Sequence, residues 1–242
     1  MMLEVGLGTA CLPGKLDAHE YETLISEAIN LGVTFIDTAP LYGPNELLLG
    51  QLPCRYRLRI CTKLGLNQRK HLPIPLIREV TQLLFAYFSS PTKKTEFSRD
   101  DRNKVFTCLA KSLERLKLPN IDTYLYHSAS NSNQLTHVGE FLTELRAAGF
   151  VKRVGFSADE YFEADTSWCD VVQVPLRGVG WFDGKFDIIV NRIFAENAGE
   201  IEYLREVPHV GRLITLLVGT TSIEHLLQFQ QKVDQFGMKL GN

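Results

Sequence analysis

The sequence has few cysteines, and none of them are arranged in pairs. Its five cysteines are Cys11, Cys54, Cys61, Cys108 and Cys169, with no Cys-x-x-Cys spacing among them. An odd, scattered set predicts neither a disulfide framework nor a zinc site, because both use cysteines at short, regular intervals. We therefore predict no metal site, and we expect reduced thiols in a cytoplasmic protein.

Long hydrophobic runs and an excess of charge are also missing. No apolar segment approaches the roughly 20 residues that span a bilayer. The first residues, MMLEVGLGTACLPGK, lack the basic start and long apolar stretch of a signal peptide. A net charge of −2 gives no electrostatic reason to expect nucleic acid or an anionic membrane as a partner. We expect a small-molecule partner, and the sequence does not indicate an oligomeric state.

The sequence does contain a series of short apolar runs separated by helical patterns. Eight runs predict buried strands, at residues 3–9, 32–37, 57–62, 121–127, 151–157, 169–174, 186–190 and 213–218. The capping-box spacing of Asp17 and Glu20 marks the start of the first helix. Strands alternating with helices predict one (β/α)8 TIM barrel over residues 1–242. An open doubly wound sheet is the rival, but no G-x-G-x-x-G follows the first strand.

Two regions differ from a regular barrel. Residues 66–99 contain prolines and polar clusters, which predict a long loop over the barrel mouth with a helical turn near 76–87. Only about 22 residues, 191–212, separate the last two predicted strands, whereas an average barrel unit takes roughly 30 residues. We therefore expect a barrel that is truncated near its C-terminus.

Four polar residues stand at or just after the ends of predicted strands two, three and four: Asp37, Tyr42, Lys63 and His127. Active sites of barrels lie where the strands run into the following loops, so these side chains should meet on one rim. Each residue alone has an ordinary explanation, such as a helix cap, a solvent contact or a backbone hydrogen bond. Their joint occurrence on adjacent strand ends favours a catalytic site.

The four side chains have complementary chemistry. A free tyrosine has a pKa near 10, which is too high for ready proton exchange at neutral pH. A buried Lys63 ammonium beside Tyr42 would lower that pKa, and Asp37 would keep Lys63 charged and in place. His127 could donate to a carbonyl oxygen and orient it toward the phenol. The set is suited to protonating an oxygen as charge develops on it.

Four segments of the sequence resemble the aldo-keto reductases in order and in spacing. They are GVTFIDTAPLYGPNE, CTKLG, SLERLKLPNIDTYLYHS and LRAAGFVKRVGFS. The resemblance covers most of residues 3–229. It implies a (β/α)8 barrel that transfers a hydride between NADPH and a small carbonyl compound. Tyr42 would then be the general acid, Lys63 and Asp37 its tuning pair, and His127 the residue that positions the substrate.

The same resemblance implies a set of cofactor-binding residues. Ser157 and Gln173 would hold the nicotinamide and Arg192 would stack on its ring, although Ala158 stands where the family has asparagine. The start of the last helix would bind the diphosphate and adenosine end through Gly219, Thr220, Thr221, Ser222 and His225. Thr220 and His225 stand where the family has basic residues, and the same segment could serve only as a helix cap.

Three functions are open at this point. The first is NAD(P)H-dependent reduction of a small aldehyde, ketone or sugar-derived carbonyl to the alcohol. The second is a cofactor-independent dehydratase, epimerase or cyclase that uses the same four residues, and the thin adenosine site motivates it. The third is a non-catalytic subunit that keeps only the barrel.

Overall fold

Eight parallel strands close into a barrel in chain order. The computed structural model describes residues 2–66, 95–194, 201, 204 and 213–240. The strands are β1 Met2–Gly8, β2 Phe35–Asp37, β3 Arg59–Leu64, β4 Ile121–Ala129, β5 Val151–Ala158, β6 Val171–Pro175, β7 Asp187–Asn191 and β8 Leu213–Val218. Closure through the β8–β1 pairing confirms the barrel and rules out the open doubly wound sheet.

Five α-helices lie within the described ranges: α1 Ala18–Asn30, α2 Asn45–Gln51, α3 Arg102–Leu116, α4 Thr136–Ala147 and α5 Ile223–Leu240. The predicted capping box at α1 is confirmed, because Asp17 and Glu20 each accept the other's backbone N–H at 2.8 Å. In the part of the chain that the structure describes, no helix is long and apolar enough to cross a membrane. The helical turn expected near 76–87 lies outside the described residues, as does most of the predicted 66–99 loop.

Six side chains fill the middle of the barrel. They form a buried apolar cluster separate from the rest of the core: Phe35, Cys61, Leu125, Val171, Ile189 and Leu217. The two remaining strands contribute glycines: Gly6 pairs with Phe35 and Leu217, and Gly155 pairs with Leu125 and Val171. A Cβ on Gly155 would lie 1.7 Å from the Val171 carbonyl oxygen. Glycine at these positions therefore leaves the space that the larger side chains occupy.

The N-terminal end of the barrel is closed by ion pairs. Arg59 pairs with Glu4, and Arg153 pairs with Asp187 at 3.1 Å. Both guanidinium groups lie over the Phe35 ring, at 5.5 and 5.9 Å from its centroid. The six apolar side chains separate this charged layer from the polar residues at the carboxyl ends of the strands.

No α-helix lies in the chain between β5 and β6 or between β6 and β7, although α4 packs against β5. Residues 159–170 and 176–186, which are all described, connect these strands without one. Aromatic rings pack on this part of the wall beside α4: Phe156 points outward from β5 and packs against Phe182 at 5.2 Å and Trp168 at 6.3 Å between centroids. No sequence pattern predicted this reduction, and the 191–212 connection, where the sequence predicts shortening, lies mostly outside the described residues.

Replacing Gly155 by alanine should destabilise the protein by about 3 kcal/mol, because the barrel interior has no room for the new methyl group. The matched control is Gly237→Ala in α5, where no described atom lies within 4 Å of the added Cβ. That change should stabilise the helix by about 1 kcal/mol. Urea denaturation followed by circular dichroism measures both, and equal midpoints for the two variants would contradict the tight β5–β6 contact.

Candidate active site

A buried ion pair joins β2 and β3 at the carboxyl end of the barrel. Lys63 Nζ donates to Asp37 Oδ1 at 2.6 Å and to Oδ2 at 2.8 Å, and it also donates to the Thr38 carbonyl at 3.0 Å. The exposed fractions of Lys63 and Asp37 are only 1% and 4%. Burial lowers the pKa of the Lys63 ammonium, but the negative charge of Asp37 opposes it, and the net pKa is raised. Lys63 is therefore a permanent cation at neutral pH.

Tyr42 and His127 lie beside this pair. Lys63 Nζ is 5.0 Å from the centroid of the Tyr42 ring, and the Tyr42 and His127 rings meet edge to face at 5.7 Å. The structure thus brings together all four residues that the sequence grouped at the strand ends. Tyr42 comes from the loop between β2 and α2, and His127 comes from β4.

The pKa of Tyr42 differs from the sequence-based expectation. Burial of the phenol raises its pKa to about 12; the Lys63 charge lowers it and Asp37 raises it further. Lys63 thus acts in the expected direction, but its contribution is outweighed. Because the net shift is upward, the phenol keeps its proton at neutral pH.

Asn45 holds the loop that carries Tyr42. Its buried side-chain amide donates to the Tyr42 carbonyl at 2.7 Å and to the Thr9 carbonyl at 3.0 Å. Gly43 adopts a left-handed φ of 69°, which a glycine adopts without steric cost. No role was expected for Asn45 from the sequence, although an asparagine at the start of a helix and after a Tyr-Gly-Pro turn is a local signal for such a bond.

Glu46 anchors the first turn of α2 to the barrel. Its carboxylate, which is 1% exposed, accepts from Thr62 Oγ1 and from Arg115 Nε, each at 2.6 Å. Thr62 lies on β3 and Arg115 on α3. The start of α2 is therefore fixed to the barrel by two adjacent side chains, those of Asn45 and Glu46.

Gln173 and Ser157, which the sequence related to the nicotinamide, both contact protein groups of the site. Gln173 reaches across the barrel from β6, and its Nε2 donates to Asp37 Oδ1 at 3.1 Å. Ser157 Oγ on β5 accepts the backbone N–H of Ser128 at 2.7 Å, beside His127. The two side chains therefore border the four-residue cluster.

Arg192 lies on the same rim, directly after β7. Its guanidinium pairs with Asp159 at 2.9 Å, and both side chains are about half exposed. Its φ of 56° is left-handed. The ion pair ties the loop after β5 to the loop after β7.

A cavity of about 480 Å³ opens at the start of α5. It is lined by Phe194, Val218, Gly219, Thr220, His225, Gln228, Phe229 and Lys232. The Phe194 and Phe229 rings meet edge to face at 5.4 Å. Of the segment predicted to bind the diphosphate and adenosine end, Gly219, Thr220 and His225 line this cavity. Phe194 and Lys232 also line the cavity, although the sequence did not predict them there. Helical spacing is a signal for Lys232, because it follows His225 by two turns on the same face of α5.

Thr221 and Ser222 are not part of the cavity lining. Ser222 instead belongs to the start of the helix: its Oγ accepts the His225 N–H at 3.4 Å, and its own N–H donates to Thr220 Oγ1 at 3.0 Å. The predicted segment therefore divides into a cavity wall and a helix cap.

The cysteines are free thiols, and all five lie within the described ranges. Cys61 is fully buried below Asp37, and burial together with the Asp37 charge raises the pKa of its thiol. In the described part of the chain, no group of three or more His, Cys, Asp or Glu residues could hold a metal ion.

Comparisons with known proteins agree on one family. The Aldo/keto reductase family model matches residues 4–177. "Probable aldo-keto reductase 1" of Glycine max is 30% identical over 164 residues, which cover 64% of this chain and 41% of that protein. Pyridoxal 4-dehydrogenase of Microbacterium luteolum is 29% identical over 179 residues, covering 65% of this chain and 52% of that one. The chain thus spans about half the length of these curated relatives.

Solved structures show the same fold. An aldo-keto reductase from Klebsiella pneumoniae in complex with NADPH has a TM-score of 0.61 and 20% identity, covering 95% of this chain and 85% of that one. The family model spans well over half of the chain, from within β1 to the end of β6, and includes all four residues of the cluster. The chain belongs to the aldo/keto reductase family.

Proposed function

We propose that this protein reduces a small carbonyl compound (an aldehyde, a ketone or a sugar-derived carbonyl) to the alcohol, with NADPH as the hydride donor. The observation that carries the proposal is the buried Asp37–Lys63 pair beside the Tyr42 phenol at the carboxyl end of the barrel. Membership of the aldo/keto reductase family supports the reaction class.

Tyr42 is the proposed general acid. With a pKa of about 12 it is protonated at neutral pH and can donate as negative charge develops on the carbonyl oxygen. The phenolate that results lies next to the Lys63 ammonium. Because Lys63 attracts the phenolate more strongly than the neutral phenol, it favours the charged state that follows proton transfer.

His127 is the proposed substrate-positioning residue. Its ring contacts the Tyr42 ring edge to face at 5.7 Å, so both side chains can reach one oxygen atom. A second donor to that oxygen aligns the carbonyl with the phenol and stabilises its developing charge. Asp37 acts one step away by keeping Lys63 charged and in place.

The residues at the rim and in the cavity fit NADPH. The cavity at α5 offers aromatic walls for an adenine ring and Lys232 for the 2′-phosphate, with Gly219, Thr220 and His225 alongside. Thr221 and Ser222 belong to the helix N-terminus, where backbone N–H groups favour phosphate. NADPH, when bound, supplies the hydride for the carbonyl carbon.

The nicotinamide end is proposed to meet Ser157, Gln173 and Arg192. The Ser157 hydroxyl accepts from the protein through its lone pairs, so its own proton is available to a ligand oxygen. The Gln173 side-chain carbonyl can accept from a carboxamide while Nε2 holds Asp37. Arg192 must leave Asp159 to stack on the ring, which a half-exposed ion pair permits at small cost.

Tyr42→Phe should lower kcat for carbonyl reduction by about 10²- to 10⁴-fold, because it removes the proton donor. The Kd for NADPH should stay the same. Tyr56→Phe is the control, since Tyr56 is 66% exposed in the 3-10 helix Pro53–Arg57 away from the rim. NADPH oxidation with a panel of small aldehydes, ketones and aldoses measures the effect. Unchanged kcat would remove Tyr42 as the acid, and turnover of a panel compound in nucleotide-free buffer would favour the acid–base alternative.

Lys232→Gln should weaken NADPH binding by about tenfold and leave NADH binding nearly unchanged, because only NADPH carries the 2′-phosphate. Lys152→Gln serves as the control: Lys152 is 65% exposed near the opposite end of β5, where it pairs with Asp122. Calorimetric titration with both nucleotides gives the four dissociation constants. Equal weakening for NADPH and NADH would show that Lys232 does not bind the 2′-phosphate.

A further inference from the structure

The β4–β5 pairing is irregular beside His127. The register runs evenly up to Tyr126 and resumes only at Ala129. Two residues of β4, His127 and Ser128, therefore face one residue of β5, Ser157. This two-against-one arrangement is a β-bulge, which is uncommon between parallel strands and frequent next to active sites, where it redirects a side chain.

The bulge places Ser128 in a strained backbone conformation. Its φ of 55° lies in the left-handed region, which a residue with a Cβ adopts only when its surroundings hold it there. Its N–H donates to Ser157 Oγ at 2.7 Å, a short contact for a nitrogen donor. Ser157 is 4% exposed, so water would compete poorly for that N–H.

This hydrogen bond also fixes His127. The Ser128 N–H belongs to the rigid peptide plane that begins at the carbonyl carbon of His127. Holding that plane sets the ψ angle of His127, while the regular pairing through Tyr126 holds the chain before it. Together they set the direction in which the His127 side chain leaves the strand, toward the Tyr42 ring.

We propose that Ser157 is a positioning residue that holds the His127 imidazole against Tyr42 through the bulge at Ser128. This role rests on the proposed function and is distinct from any contact of Ser157 with a nucleotide. It uses the lone pairs of the hydroxyl, whereas a ligand oxygen would use its proton. The role should therefore appear in the step that involves the carbonyl compound.

The test compares Ser157→Ala with variants that restore the bulge by different means. Ser157→Ala should lower kcat/KM for the carbonyl compound by about tenfold at saturating NADPH, the size expected when one supporting hydrogen bond is lost. Ser157→Thr keeps the acceptor and should retain activity. Adding Ser128→Gly to Ser157→Ala should recover most of the loss. Glycine adopts a positive φ at no steric cost, so the bulge no longer needs the hydrogen bond to Ser157 Oγ. A lost nicotinamide contact would not be recovered in this way.

A double-mutant cycle with His127→Gln tests the route of the effect. If Ser157 acts through His127, then Ser157→Ala should cost almost nothing further once His127 is replaced. A full tenfold loss in the His127→Gln background would overturn the proposal. So would a loss confined to the Kd for NADPH.

Nuclear magnetic resonance of the nucleotide-free protein keeps the proposal testable if no carbonyl reduction is found. The ring resonances of His127, assigned by their loss in His127→Gln, should shift in Ser157→Ala and return in the Ser128→Gly/Ser157→Ala double variant. Unshifted resonances would overturn the positioning role whatever the reaction proves to be. If Ser157→Ala does not fold, Ser157→Cys, whose sulfur is a weaker acceptor, takes its place in every comparison.

Discussion

The carboxyl end of the barrel depends on the ion pair between Lys63 and Asp37. Both charges lie out of water, where either one alone would be strongly destabilising, so each requires the other. The surrounding groups complete their hydrogen bonds: the Thr38 carbonyl accepts from Lys63, and the Gln173 amide donates to Asp37 from the far side of the barrel. Strands β2, β3 and β6 are thus joined through the same pair that faces the Tyr42 phenol. Stability and the proposed chemistry share one contact.

The layered interior limits which charges act on the Tyr42 phenol. The six apolar side chains separate it from the Arg59 and Arg153 layer at the other end, so the local field at Tyr42 comes mainly from Lys63 and Asp37. Those two charges act on the phenol in opposite directions, and burial decides the outcome. The phenol is therefore neutral before reaction, and the Lys63 cation is available for the charge that proton transfer would create.

Much of the barrel could be predicted because parallel strands covered on both faces read as continuous apolar runs. LITLLV shows this most clearly, since β8 has the predicted bounds. Strand ends also locate the polar cluster, since the topology brings the carboxyl ends together. The bulge at Ser128 has no comparable signal, because nothing in a His-Ser pair specifies a positive φ. The direction in which the pKa of Tyr42 shifts depends on distances and burial in the folded protein, which the spacing of residues along the sequence does not give. The aromatic packing on β5 has no sequence signal either, because Phe156 and Trp168 become neighbours only after folding.

The aromatic wall has a consequence for how this barrel tolerates change. In an open sheet, losing the covering helices near one side would leave unpaired N–H and C=O groups close to the surface, a template for pairing with other chains. Here every strand has a partner on both sides, because β8 returns to β1. The absence of helices between β5 and β6 and between β6 and β7 therefore leaves no strand edge unpaired, and the aromatic rings keep the outward-facing Phe156 buried. Because the barrel is closed, the loss of outer helices does not create a site for strand pairing between chains.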